Sequence, residues 1–415
     1  MKLPSDADSS GRDLGTEEIT LLKEVIESGT LNCTRGKQVN TLEKEIADVY
    51  GVDHVRAVSS GTAACHTAIV AINPEPCDEI ITTPITDMGA IAPILYQLAV
   101  PIFADVDPVS LNVTPETVAE RITDRTRAIV ATHLFGNPCD IAGIKEVADR
   151  YGIPVIEDCA QAFLAEQDGN MVGTVGAVGC FSLQQGKHMT SGEGGFVMTS
   201  DAKNARRMRL FSDKAWPYGE ADPDHEFLAL NYRLTELQGA VARAQLKKLP
   251  GVVERRRAAA AALTRLLAGT PGLTLPAAAR GSTHVYWKYP LIVDPDLIEG
   301  GADALGAALK ERGVFCVPRY IQKPAFQCRV FRERNTFGTS GWPLSCRKQM
   351  GLGEVAYDAA EYPGTRRGLE RVVVLPWNER YTDEHIAFIA AAVREAVEDL
   401  GRGLGEHQGV SGAAE

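Results

Sequence analysis

From about residue 40 to 200, short β-rich runs alternate with helical patterns, and this alternation constrains the fold of the 415-residue chain more than any other feature. Strands in that rhythm are joined by helical crossovers, which predicts βαβ units and a largely parallel sheet. The strand candidates are 54–59, 78–83, 100–104, 128–132, 154–157, 176–183 and 195–199, with helices expected at 61–72, 88–98, 115–122 and 141–151. Thr114 followed by Pro115 is a well-formed helix start, a capping hydroxyl and then a proline where no amide donor is missed.

Beyond this block, Leu234, Leu237, Val241 and Ala244 follow a helical stripe that is expected to end at Pro250, a candidate domain edge. An alanine-rich helix at 255–267 then leads to strands near 285–293, 314–317 and 372–375, and to a last helix capped by Thr382. The expected fold class is α/β. A large domain over 16–250 carries a mostly parallel central sheet, and a smaller C-terminal α+β domain covers 251–400. A flexible N-terminus (1–15) and a flexible tail (401–415) flank them.

The balance of 43 Lys and Arg against 54 Asp and Glu gives a net charge of -11, which disfavours phosphate backbones and acidic lipid, so neither nucleic acid nor a membrane is an expected partner. The longest apolar run, 88–104, is interrupted by Gln97, Pro93 and Pro101 and reads as helix then strand, not as a membrane span. Nine cysteines include no C-x-x-C pair, and Cys65, Cys159 and Cys180 sit in apolar runs as small buried hydrophobes. With a polar start and no secretory signal, a reducing cytoplasm is the expected location.

Four local signals carry chemistry. In SSGTAA, 59–64, a Ser-Gly-Thr turn between strand and helix offers unpaired amides and hydroxyls, centred on Gly61 and Thr62, to an anion such as phosphate; a simple N-cap is the competing reading. In PVIEDCAQA, 154–162, a buried-strand run ends in two carboxylates at the edge where open α/β sheets bind ligands. Alternation favours one acid inward, Asp158, which would need a cationic partner such as a protonated heterocyclic nitrogen; capping of the next helix is the alternative. In FSLQQGKHMTSGEGG, 181–195, a strand delivers Ser182 and a glycine-bearing loop presents Lys187, which is either solvated or desolvated enough to form a Schiff base. In ALNYRLTELQGA, 229–240, Asn231 stands at the entrance of the stripe helix and reads locally as its cap.

The order of these four motifs resembles the DegT/StrS family of pyridoxal-phosphate-dependent aminotransferases, which aminate keto-sugars and keto-cyclitols. The likeness is strong over about 30–250. It implies a fold-type-I transferase with pyridoxal 5'-phosphate as cofactor, acting as a homodimer with shared active sites. Lys187 would hold the cofactor, Asp158 would pair with its ring nitrogen and Gln161 would lie over the ring near its phenolic oxygen. Gly61, Thr62 and Ser182 would bind the phosphate, with Asn231 reaching it from the partner subunit. The small-molecule partners implied are an amino donor, glutamate or glutamine, and a keto-sugar or keto-cyclitol acceptor of the aminoglycoside type.

Where the family carries an aromatic over the cofactor face, this chain reads Thr86, Asp87, Met88. That leaves Met88 as a candidate cover for the ring and Asp87 as a candidate contact to a substrate hydroxyl. A branch that lacks the lysine dehydrates sugars instead; the presence of Lys187 favours amination over that alternative and over a non-catalytic regulator. No G-x-G-x-x-G follows the first strand and no G-x-S-x-G occurs, which disfavours a nicotinamide dehydrogenase and a serine hydrolase. No metal site is expected from the eight histidines. Further candidates for the cleft are Trp287, Lys288, Arg319, Tyr320 and Trp377, and His188 is a candidate proton carrier or a solvent-facing side chain.

Overall fold

A computed structural model describes residues 1–401, so all of the expected flexible tail except Gly401 lies outside the described residues. The large domain opens with α1 (Thr16–Ser28) and α2 (Gln38–Tyr50) and then alternates β1 (His54–Val58), α3 (Gly61–Ile72), β2 (Glu79–Thr82), α4 (Met88–Tyr96) and β3 (Val100–Phe103). It continues with α5 (Pro115–Ala119), β4 (Thr126–Thr132), α6 (Ile141–Arg150), β5 (Val155–Asp158), the short β6 (Glu166–Gln167) and β7 (Asn170–Met171), β8 (Val178–Ser182), β9 (Gly195–Thr199) and α7 (Ala202–Phe211). Seven of these strands form one sheet in the order β1-β9-β8-β5-β4-β2-β3. From β3 to β8 all neighbours are parallel, and β9 alone is reversed against β8 and β1.

Strands β2, β5, β8 and β9 are buried at every residue because helices cover both faces of the sheet. Phe181, Phe196 and Met198 pack with Leu42 and Ile46 of α2, whereas Cys180 and Val197 pack with Ala64 and Ala68 of α3. One strand residue further on reaches the opposite layer, which is the period-two geometry of a strand.

The long helix differs from expectation. A single helix, α8 (Glu236–Leu267), runs straight through Pro250, so the expected boundary at 250 falls inside one element. Pro250 cannot donate to the Leu246 carbonyl, yet the helix persists because both halves bury a stripe. Leu246, Leu249 and Val253 lie in the large-domain core, and Ala260, Leu263 and Leu267 lie in the small-domain core. Pro250 itself is exposed, so nothing in the packing requires it. Pro250→Ala is therefore expected to stabilise the chain by ~1–2 kcal/mol, the helix-interior cost of proline less its restriction of the unfolded chain, read as a higher denaturant midpoint.

The small domain has its own antiparallel sheet of β10 (Leu273–Thr274), β12 (Lys288–Val293), β13 (Val317–Pro318) and β14 (Val372–Pro376), in the order β10-β12-β14-β13; β11 (Ser282–Thr283) pairs with β6 of the large domain. The helices Gly301–Glu311 and Asp383–Leu400 cover this sheet. Trp377, a cleft candidate by sequence, is fully buried in this core, with its indole N–H donating to the Arg256 carbonyl at 2.9 Å. Arg319 is likewise placed elsewhere, on Asp303 at the surface.

Residues 1–15 differ from the expectation of a loose end. Asp6 and Arg12 are drawn in against α8 and the small domain, and Arg12 is 3% exposed. Buried ion pairs and carbonyl contacts hold this strap, and a polar stretch without apolar periodicity gives no sign of either. No described helix is long and apolar enough to cross a membrane.

Candidate active site

The functional side chains meet at the carboxyl edge of the parallel strands, where β1, β2, β4, β5 and β8 all end. This edge is the ligand-binding side of an open α/β sheet. After β1, Ser60 caps α3 by accepting from the Ala63 amide at 3.0 Å. The amides of Gly61 and Thr62, at the positive end of the helix, find no acceptor among the described residues. The cap and the anion site are thus both present, on neighbouring groups. A Cβ at Gly61 would lie 2.6 Å from the Ser182 Cβ, so glycine is what lets the first turn of α3 dock against the end of β8. Ser182 is thereby held next to Gly61, and the Thr62 hydroxyl lies against Gly89 at the start of α4. Two free amides and two hydroxyls around a helix N-terminus form a cradle that suits a phosphate.

Asp158 ends β5, 5% exposed, accepting from the Ala160 amide at 3.1 Å. Burial pushes its carboxyl up from the usual range, while the Ala160 bond and the charges of Lys187 and His133 pull it back. Lys187 feels the mirror image: burial lowers its ammonium, and Asp158, Asp87 and Cys65 draw it upward. Each charge thus acts on the other, and neither makes an ion pair within 4.0 Å among the described residues. Lys187 Nζ lies 4.2 Å from the centre of the Trp287 ring, whose own N–H donates to the Gly186 carbonyl at 2.6 Å.

Gln161 is 5% exposed and its carbonyl oxygen accepts from the Phe135 amide at 2.7 Å, which fixes its amide nitrogen toward Tyr320. Tyr320 is the small domain's contribution; burial raises its phenol, and Asp87 and Asp158 lie within electrostatic reach. Asn231 is exposed, and it does not cap α8. Thr235 does so, in a capping box with Gln238, and among the described residues the Asn231 amide nitrogen has no acceptor.

Several sequence readings change here. Met88 packs against the apolar cluster of Phe326 and Phe331, and Asp87 caps α4 by accepting from the Gly89 amide at 2.7 Å while remaining exposed beside the site. His188 neither faces solvent nor reaches the cleft: it is 1% exposed, its Nε2 bonds the Val285 carbonyl at 3.0 Å, and burial holds it neutral.

Both acids of the pair are buried, not one. Glu157 turns to the other face, where its two oxygens accept from the amides of Gly173, Val175 and Gly176 and pair with His133. His133, Glu157 and Cys159 lie close enough to ligate a cation, but the carboxylate's acceptor sites are filled by those four groups, so the cluster is a hydrogen-bond network. Trp287 and Tyr320 belong to the site although the sequence ranks them no higher than other loop aromatics. Arg12 has no sequence signal at all.

The chain matches the DegT/DnrJ/EryC1/StrS aminotransferase family over residues 12–394. It is 31% identical over 356 residues to GDP-perosamine synthase of Vibrio cholerae, covering 81% of this chain and 94% of that one. Among solved structures, the aminotransferase TlmJ from Streptoalloteichus hindustanus superposes with a TM-score of 0.80 at 28% identity, covering 94% of this chain and 98% of that one. The 3-amino-5-hydroxybenzoic acid (AHBA) synthase gives 0.82 at 26% identity with the same coverage. With a seven-stranded, mostly parallel sheet, a smaller second domain, and a lysine loop and a buried aspartate at the strand ends, the chain belongs to the DegT/DnrJ/EryC1/StrS aminotransferase family and is a pyridoxal-phosphate-dependent aminotransferase of fold type I.

Proposed function

We propose that this enzyme moves an amino group from glutamate or glutamine to a keto-sugar or keto-cyclitol, in the making of an aminoglycoside-type product, and that it works in the cytoplasm as a homodimer with shared active sites. The observation that carries this reading is the opposition of Lys187 and Asp158 beside a helix N-terminus with free amides. A sugar acceptor is supported by the likeness to GDP-perosamine synthase, and the dimer by the exposed, unused amide of Asn231. All nine cysteines are free, and eight are buried, which suits a reducing compartment.

In this reading Gly61, Thr62 and Ser182 would hold the cofactor phosphate, with Asn231 reaching it from across the dimer, and Gln161 would contact the ring. The cofactor, when bound, supplies an electron sink for the carbanion left as the substrate loses its α proton. Asp158 would set its carboxylate against the ring nitrogen and so gain a cationic partner for a buried acid. Lys187 would anchor the cofactor through Nζ, and as a free amine the same nitrogen would hold or move the proton lost from the substrate. Its lowered pKa enlarges the share of free amine near neutral pH.

Asp158→Asn is expected to fold normally and to lower turnover by ~100-fold or more, because a neutral amide no longer holds the ring nitrogen protonated. Steady-state rates beside a thermal melt check both halves of that outcome. The whole reading is tested by incubating the holoenzyme with isotopically labelled glutamate or glutamine and a panel of keto-sugars and inososes. Label in an aminated sugar or cyclitol is expected, and its absence from every acceptor overturns the acceptor class.

A further inference from the structure

We infer that Arg12 is a positioning residue for Lys187. It clamps the loop that carries the lysine, and Asp6 holds Arg12 in place; the inference rests on the proposed role of Lys187.

A side chain's direction is set by the two peptide planes on either side of its Cα. The plane before Lys187 ends in the Gly186 carbonyl and the plane after it in the Lys187 carbonyl. Neither carbonyl is used by the turn itself, which closes through the Lys187 amide onto the Gln184 carbonyl at 3.0 Å and the Gly186 amide onto the Gln184 side chain at 2.7 Å. Each is taken by a donor from a distant part of the chain. The Trp287 indole N–H holds the Gly186 carbonyl, and Arg12 Nη1 holds the Lys187 carbonyl at 2.8 Å. Trp287 is itself tied to the large domain through its amide, which donates to the Phe135 carbonyl at 2.8 Å. Two clamps, one on each flanking peptide, fix the backbone angles of Lys187 and aim its Cβ at the space in front of Asp158.

Arg12 is fixed in turn. Its Nε donates to the Asp6 carbonyl and its Nη2 pairs with the Asp6 carboxylate, both at 3.3 Å. Asp6 also takes the Asn378 amide at 2.5 Å and pairs with Arg256 at 3.4 Å, while its carbonyl accepts from Gln185, two residues before the lysine. The strap thus grips the lysine loop at two points and anchors the grip to α8 and the small domain. A charged side chain as deeply buried as Arg12 is costly to hold without partners, and its contacts to the Lys187 carbonyl, the Asp6 carbonyl and the Asp6 carboxylate serve this loop and its anchor.

The test compares two events at one site. Pyridoxal phosphate added to the cofactor-free enzyme, trapped with borohydride and mapped to the Lys187 peptide, reports how fast the lysine finds the aldehyde. Pyridoxamine phosphate, which has no aldehyde, reports the rest of the pocket. Arg12→Met is expected to slow labelling of Lys187 by ~10- to 100-fold, with pyridoxamine phosphate affinity within ~2-fold of the unaltered enzyme. Asp6→Asn, a milder change that keeps the shape of the strap, is expected to slow labelling in the same sense. Asp13→Ala removes strap contacts to Arg255 and Arg380 that do not touch the loop, and it is expected to label at the full rate. Full-rate labelling in both Arg12→Met and Asp6→Asn overturns the inference. So does a parallel loss of pyridoxamine phosphate affinity, or equal slowing by Asp13→Ala. Failure of the unaltered enzyme to take label at Lys187 overturns the proposed function as well.

Discussion

Replacing Lys187 by alanine is expected to lower turnover by ~100- to 10,000-fold, the range of a positioned acid–base group, equivalent to roughly 3–5 kcal/mol in the barrier. The size of the effect follows from how few groups near the site can substitute. Asp87 and Asp158 are acids, His188 is buried on the far side against Val285, and Lys288 contacts the same Trp287 ring but pairs with Asp6. The fold is expected to be indifferent to the change, since among the described residues the Lys187 ammonium makes no ion pair within 4.0 Å and rests on the Trp287 face. Transamination of glutamate by the purified variant, measured beside its thermal midpoint, separates chemistry from stability. A variant that transaminates at a comparable rate would remove the lysine from the mechanism.

Glu157→Ala is expected to do the opposite, costing ~3–5 kcal/mol of stability, as removal of one member of a buried, hydrogen-bonded charge cluster does. Glu157 is fully buried and closes the turn after β7 by accepting three consecutive-region amides, from Gly173, Val175 and Gly176, at 2.6–2.9 Å, as well as contacting His133. Truncation leaves those donors without an acceptor in a space that water does not readily enter. A fall in the denaturant midpoint at unchanged slope is the expected reading, and a midpoint like that of the unaltered protein would show that the loop reorganises. The contrast with Asp158 is instructive, because the two acids are adjacent in sequence and only 5% or less exposed. One is saturated by backbone amides and holds the fold. The other accepts one backbone amide and a long contact from the Thr132 hydroxyl at 3.5 Å, burial raises its pKa, and among the described residues it makes no ion pair.

The alternation of strands and helices was readable because it depends on local period. Strands at 54–59 and 195–199 and the helix at 61–72 appear within a residue of where they are expected, and the sheet is mostly parallel as βαβ order requires. Helix ends were less so. Met88 starts α4 as expected, but the helix stops at Tyr96 because the chain must turn at Leu98, which adopts φ 58. Pro250 misled for a related reason, since a local helix breaker is overridden when two cores bury stripes on either side of it. The motifs that hold Gly61, Thr62, Asp158, Gln161, Ser182 and Lys187 lie at strand ends, so parallel order alone carries them to one edge of the sheet.

The sequence by itself determined the layered α/β architecture and the chemical set at the strand ends, because period, turn residues and the order of motifs are properties of neighbours along the chain. Tertiary structure alone decided which of two adjacent carboxylates is saturated, that Trp287 and Tyr320 reach the site while Trp377 and Arg319 do not, and that Asp6 and Arg12 fold back onto the lysine loop. The physical reason is the same in each case. Desolvation and hydrogen-bond saturation depend on what packs against a group from distant parts of the chain, and no local pattern records that.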